Sequence, residues 1–234
     1  MDDPPARGPL VSSLTALAAS PEYLATINAQ LETIVRLAAE RVAAVDFASI
    51  TGLRGKSHVT VAVSDELIRA VDDAQHSESA GPCVEALHTG RAVGVPDIGA
   101  VMRWPGFHEE APRLGLDSSL SLPLHTGSGD PVAVLNLYAR DRVAMAPLIA
   151  AIGAVRGVVV VGPGPLTDEG GRELVAAYAE ALSVRDRIRR AIEVIMRENR
   201  CAADDAYVSL CIRAADGGTD LAVAAASFLP SEPA

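Results

Sequence analysis

Arginine gathers near the end of an otherwise acidic chain: Arg189, Arg190, Arg197, Arg200 and Arg213 follow one another, with Tyr207 among them. Guanidinium groups grip phosphate through paired N–H donors, and a tyrosine ring stacks on an unpaired base with about 1–3 kcal/mol. The set points to nucleic acid, and to RNA in particular, with the arginines as phosphate contacts and Tyr207 as the stacking side chain. The plainer reading of the same residues is a solvated helix face, with Tyr207 packed between helices. Over the whole chain, 30 acidic residues against 20 basic ones give a net charge of -10. That charge repels a polyanion from most of the surface and confines such contact to one face.

Other chemistry is sparse. Cys83, Cys201 and Cys211 form no C-x-x-C pair and no disulfide framework, which fits a reducing cytosol. Cys83 stands at a predicted helix start, where the dipole favours a thiolate, but free cysteine is among the most buried residue types and core burial is the stronger expectation. His58, His76, His88, His108 and His125 are scattered, with no pair at metal-ligand spacing. Paired carboxylates, a G-x-S-x-G elbow and a phosphate-cradling glycine loop do not occur. The expectation is a protein that is not an enzyme, with no catalytic residue, metal or cofactor. Asp2, Asp3 and nearby prolines stand where an exported chain would carry a basic start, and Pro147, Gly153, Arg156 and Gly157 break the most apolar stretch. A cytoplasmic location without membrane contact is expected.

The arginines need a scaffold, and the sequence predicts one. A long helix starts at Thr167, with Asp168 and Glu169 favouring its positive end and Gly170 and Gly171 weakening the first turn. Leu174, Tyr178, Ala181, Ile188, Ile192 and Ile195 recur at alternating steps of four and three, with Arg185 as the one polar break. That spacing is the seam of a two-stranded coiled coil, so a homodimer is expected. A short helix follows from Asp204 with Ala206, Leu210 and Ala214 inward, ending at Gly217-Gly218. Another, capped by Thr219-Asp220, turns Leu221, Ala224, Ala225 and Phe228 inward and stops at Pro230.

Upstream, residues 1–19 read as a disordered tail. A helix then runs from Ser20-Pro21 to about Ala44 on a stripe of Leu24, Ile27, Leu31, Ile34 and Ala38. Strand-like runs lie at 45–53, 58–64, 92–95, 119–125 and 131–138. They cluster without regular helix alternation, which predicts an α+β fold with an antiparallel sheet flanked by helices. Residues 141–165 interpose a helix-like run, the strand-like Val158 to Val161 and a Gly162 to Pro165 hinge before the long helix.

Ala80-Gly81-Pro82-Cys83-Val84-Glu85-Ala86-Leu87, then Thr89-Gly90-Arg91, Val95-Pro96-Asp97, Arg103-Trp104-Pro105 and Ser118 to Leu124 occur in that order. Together they resemble the GAF sensory domains of actinobacterial regulators. The resemblance covers roughly Ser20 to Arg140. It implies a sheet closed by Leu135 to Tyr138 and a helix opened by Pro82-Cys83 beside a pocket for an unknown small-molecule signal. From Leu182 to Leu229, Ala191, Ile195-Met196, Ala206-Tyr207, Leu210 and Leu221 to Ala225 resemble the ANTAR domain, a three-helix RNA-binding module of transcription antiterminators; Ile192 and Glu193 depart from its lysine and glycine. The implied organisation is a tail (1–19), a GAF-like sensory domain (20–165, with 141–165 an atypical insertion) and a coiled-coil helix with an ANTAR-like bundle (166–234). The implied function is a dimeric antitermination regulator that binds RNA hairpin loops. Ile192 and Glu193 motivate the alternative, a sensory dimer whose tip contacts a protein partner.

Overall fold

The computed structural model describes residues 7–21, 24–55, 57–127, 129–155 and 168–229. Residues 9–18, expected within a disordered tail, instead form helix α1 (Pro9–Ala18), with Leu10, Leu14 and Leu17 buried at helical spacing. A stripe this short is not stable in isolation, so it declares itself only when another helix covers it. Helix α2 (Leu24–Arg41) buries Ile27, Leu31, Ile34 and Ala38 as its spacing predicts. Strands β1 (Phe47–Arg54) and β2 (Ser57–Val63) form the expected hairpin. Next come α3 (Arg69–Glu78), α4 (Pro82–Thr89), the short β3 (Val93–Val95), α5 (Pro105–Arg113), β4 (Ser118–His125) and β5 (Pro131–Ala139).

The strands make one antiparallel sheet in the order β2-β1-β5-β4-β3. Because strand side chains alternate, its two faces carry different chemistry. Ala48, Ile50, Leu120, Leu122, Leu124, Leu135 and Leu137 form an apolar face, fully buried together with residues of α1 and α2. Each large side chain there contributes about 1.5–3 kcal/mol on burial. Ser49, Thr51, Ser119, Ser121, Asn136 and Tyr138 occupy the alternate positions, facing α3 and α4.

After β5, Asp141 caps helix α6 (Arg142–Ala154) by accepting from the amides of Val143 and Ala144. Its Met145, Leu148 and Ile152 enter the main core, so the first half of the supposed insertion is structural. Val158 to Val161, the 162–165 hinge and Thr167 lie outside the described residues. Helix α7 (Glu169–Asn199) is capped by Asp168, which accepts from the amides of Gly170 at 3.2 Å and Gly171 at 2.7 Å. Gly170 is there for closeness: a Cβ on it would lie 1.8 Å from the Arg41 carbonyl oxygen. Glu173 then ties three helices together, accepting from the Leu10 amide at 2.8 Å and pairing with Arg41 at 2.9 Å.

The predicted dimer seam is spent within the chain. Leu174, Tyr178 and, in part, Ala181 pack into the main core, whereas Ile188, Ile192 and Ile195 join a second cluster with α8 (Ala203–Gly217), α9 (Leu221–Ala226) and the end of α1. A 3.5-residue spacing says that a stripe is buried and leaves open which helices bury it. A homodimer through this stripe would require α1 and α9 to leave it. Arg185, odd in a coiled-coil seam, donates from Nε to the Gly129 carbonyl at 2.7 Å in the β4–β5 turn. The small helices match the expected stripes: Ala206, Leu210, Leu221, Ala224 and Ala225 are buried, Gly218 takes the left-handed conformation, and Asp220 accepts from the Val223 amide. The Leu221 amide donates to the Ala19 carbonyl, so this helical tip is anchored to the body. Among the described residues no helix is long and apolar enough to cross a membrane.

Candidate functional site

The polar face of the sheet, roofed by α3 and α4, holds a connected set of buried side chains. Tyr138 from β5 donates its hydroxyl to Asp72 Oδ1 at 2.7 Å, and Thr60 from β2 donates to Oδ2 at 2.9 Å. Gln75, one turn along α3 from Asp72, donates from Nε2 to the Tyr138 oxygen at 3.2 Å and accepts from the Cys83 amide at 3.0 Å. That last bond satisfies a buried amide in the first turn of α4, one with no partner within its own helix, using a side chain from α3. Across the strands, Asn136 accepts from Ser121 at 2.9 Å and donates to Ser49 and Thr51 at 3.3 and 3.2 Å. Thr51 also lies 3.2 Å from His76 Nε2.

Electrostatics follow from burial. Asp72 is fully enclosed, and desolvation pushes its carboxyl up to about 6 against the pull of hydrogen bonds from Tyr138, Ser49 and Thr60; neighbouring Asp73 pushes the same way. Tyr138 is raised well above its ordinary value, first by desolvation and then by the Asp72 charge. Burial likewise drives the Cys83 thiol up to about 12, outweighing the favourable helix start. His58 and His76 are lowered, each mainly by desolvation and then by a neighbouring histidine. The layer thus favours neutral groups that exchange hydrogen bonds. His58 Nε2 and Ser119 Oγ are buried without a hydrogen-bond partner among the described residues, although buried polar atoms are nearly always paired. This leaves recognition capacity for polar groups, while burial disfavours the thiolate form of Cys83.

The three histidines that sequence separates meet here: the His58 ring lies 5.8 Å from those of both His76 and His88. No group of side chains among the described residues is arranged to hold a metal ion. Sequence reasoning passed over Asp72, Gln75, Thr60 and Ser49. The available signal was alternation: Ser49 and Thr51, Ser119 and Ser121, and Asn136 and Tyr138 interleave with apolar residues, in strands buried on both faces.

The residues predicted to hold RNA do not converge. Arg189 and Arg190 lie mid-helix on α7, beside α6, and Arg189 pairs with Glu193 at 3.2 Å. Arg197 and Arg200 are exposed at the end of α7, where Arg200 takes a left-handed C-cap conformation. Arg213 on α8 lies over the Phe228 ring at 4.6 Å. Tyr207 is half-buried against the tip cluster, and a Cβ on Gly127 would come within 3.4 Å of its hydroxyl. Its hydroxyl thus reaches the sheet's β4–β5 turn, while the residue as a whole stays partly exposed.

A family profile described as GAF domain matches residues 25–145, spanning α2 through the start of α6 and the whole sheet. The chain belongs to the GAF domain family. Several solved structures are similar to it. One is a GAF domain region from Geobacter sulfurreducens PCA, at 16% identity and TM-score 0.44, covering 69% of this chain and 95% of that one. Another is a type II free methionine-R-sulfoxide reductase from Thermoplasma acidophilum, at 14% identity and TM-score 0.39, covering 53% and 82%. A third is a domain assigned to a two-component sensor histidine kinase of Sinorhizobium meliloti 1021, at 13% identity and TM-score 0.41, covering 78% and 100%. No curated protein sequence matches the chain. The buried polar network lies wholly inside the GAF domain, while α7, α8 and α9 lie entirely beyond the matched residues.

Proposed function

We propose that this protein is a signal-responsive regulator in which the polar layer of the GAF domain takes a small polar molecule and α7 passes its occupancy to the α8–α9 tip. The observation that carries this reading is that one 31-residue helix belongs to both hydrophobic clusters. A displacement of α7 at Leu174, Tyr178 or Leu182 is therefore also a displacement of Ile188 and Ile195, since packed interiors transmit strain. The layer is assigned binding and not catalysis, because its cysteine is buried and its thiol is pushed far from the thiolate.

The output target in this proposal is hairpin RNA, in the manner of the ANTAR resemblance, with transcription antitermination as the regulated step. Exposed Arg197 and Arg200 support it. The test is a salt titration of the full chain against a two-hairpin RNA. Contact with unpaired loops through several phosphates weakens steeply with salt, with a slope of about -0.7 per phosphate on single strands. Absence of binding at low salt refutes the RNA output. A homodimer is retained here only through surfaces other than the α7 stripe, and sedimentation of the chain with and without RNA measures it.

A protein target is favoured by a different observation. Val208 and Ile212, one turn apart on α8, are 54% and 56% exposed, with Asp204 and Asp216 continuing the same ridge. An apolar pair bordered by acids suits a basic protein surface better than a phosphate backbone. Val208→Ser with Ile212→Ser distinguishes the readings: it leaves RNA affinity unchanged when RNA is the target and abolishes capture of the partner when protein is.

A further inference from the structure

Three arginines line a cleft beside the cluster that covers the apolar face of the sheet. The cleft, of about 820 Å³, opens between α6, the middle of α7 and the turn leading into β3. Arg189 and Arg190 enter it from α7, and Arg91 enters from the turn after α4. Arg91 and Arg190 make no ion pair among the described residues, and the one pair of Arg189, to Glu193, is exposed on both sides. An exposed pair of this kind is worth about 0.2–1 kcal/mol and gives way readily to a better acceptor. Among the described residues, Asp186 is the only acid on the lining. In a chain of net charge -10, such a local reversal of sign is a strong departure from the average surface.

We propose that this cleft binds a phosphate-bearing small molecule with an apolar body. Guanidinium groups match phosphate oxygens two at a time, and groups arriving from two elements can grip one phosphate from different sides. Ile152 and Leu182 supply an apolar floor for the rest of the ligand. The volume falls in the range of about 300–1,000 Å³ that small-molecule sites occupy. The site is separate from the GAF polar layer, since the sheet lies between them, and it reassigns Arg189 and Arg190 from RNA to a small ligand. A phosphate gripped by Arg91 and Arg190 links α7 to the edge of the sheet, which makes the ligand a clamp on the helix.

The test uses the full chain with phenyl phosphate, AMP, inorganic phosphate and adenosine, followed by isothermal titration calorimetry and thermal unfolding. Saturable binding of phenyl phosphate and AMP, weaker binding of inorganic phosphate and none of adenosine is the expected pattern. Arg190→Ala and Arg91→Ala each weaken binding by about ten-fold or more. Because both side chains are exposed, these variants keep the wild-type circular dichroism spectrum, and Arg190→Lys recovers part of the affinity. Failure of both phosphorylated probes to bind, or binding indifferent to both arginines, overturns the proposal. Loss of hairpin-RNA affinity in Arg190→Ala, with no phosphate-probe binding to the wild type, also overturns it and returns these arginines to RNA.

Discussion

Replacing Asp72 with asparagine is expected to remove a pH dependence of stability that the wild type carries through its polar layer. The carboxyl is raised from 3.8 to about 6 by complete burial. At about 1.36 kcal/mol per pH unit, ionising it inside the folded protein costs roughly 3 kcal/mol. The folded state holds this proton more tightly than the unfolded state does. Its stabilisation is therefore fully present below the unfolded value, is lost as pH rises through about 6, and stays lost above. Asparagine fits the same space, accepting from Tyr138 through its carbonyl and donating to the Thr60 oxygen through its amide, so the network survives without a titrating group. Urea unfolding of both proteins from pH 4.5 to 7.5 measures the effect, and subtracting one from the other cancels the remaining carboxylates. From the same pKa values, the variant should gain about 2 kcal/mol on the wild type across that interval. Curves that run parallel in pH would show that Asp72 is not buried as a near-neutral acid, and the account of the polar layer would fail with it.

Two further outcomes follow from burial. Cys201 and Cys211 are partly exposed whereas Cys83 is fully buried with its thiol pushed up to about 12, so a thiol reagent at pH 8 should label two cysteines in the native protein and the third only on unfolding; rapid labelling of all three would reopen Cys83 as a reactive site. Ile188→Asp places an unpaired charge at a position 1% exposed, beneath the tip cluster, and should cost about 4 kcal/mol or more of folding stability by chemical denaturation. A variant of wild-type stability that lost a dimer in sedimentation would restore the coiled-coil seam.

The sheet and its hairpin were legible because alternation and turn residues are local signals, and the ordered motifs from Ala80 to Leu124 carried the GAF resemblance. The caps at Asp168 and Asp220 and the Gly218 stop were equally readable, since each concerns a few consecutive residues. Helix α1 was hidden because Leu10, Leu14 and Leu17 gain nothing until α7 lies over them. Gly170 read as a weakness of α7 and proves to be the condition for its approach to Arg41. The candidate site was least visible, since Asp72, Gln75 and Tyr138 belong to elements far apart in sequence and only the folded sheet brings them into hydrogen-bonding range.

By itself, the sequence determined the periods: which residues are inward on each strand and helix, where the helices stop, and that the α7 stripe must be buried. Tertiary structure alone decided what buries them. It turned a stripe suited to a second copy into the contact with α1, α8 and α9, turned Tyr207 toward the sheet, and separated arginines that are neighbours in sequence into a cleft and a helix end. The physical reason is that burial energy is non-directional and registers only that apolar area leaves water. Hydrogen bonds and charges are directional and short-ranged, so the Asp72 network and the Arg91–Arg190 cleft exist only where the chain returns to the same place.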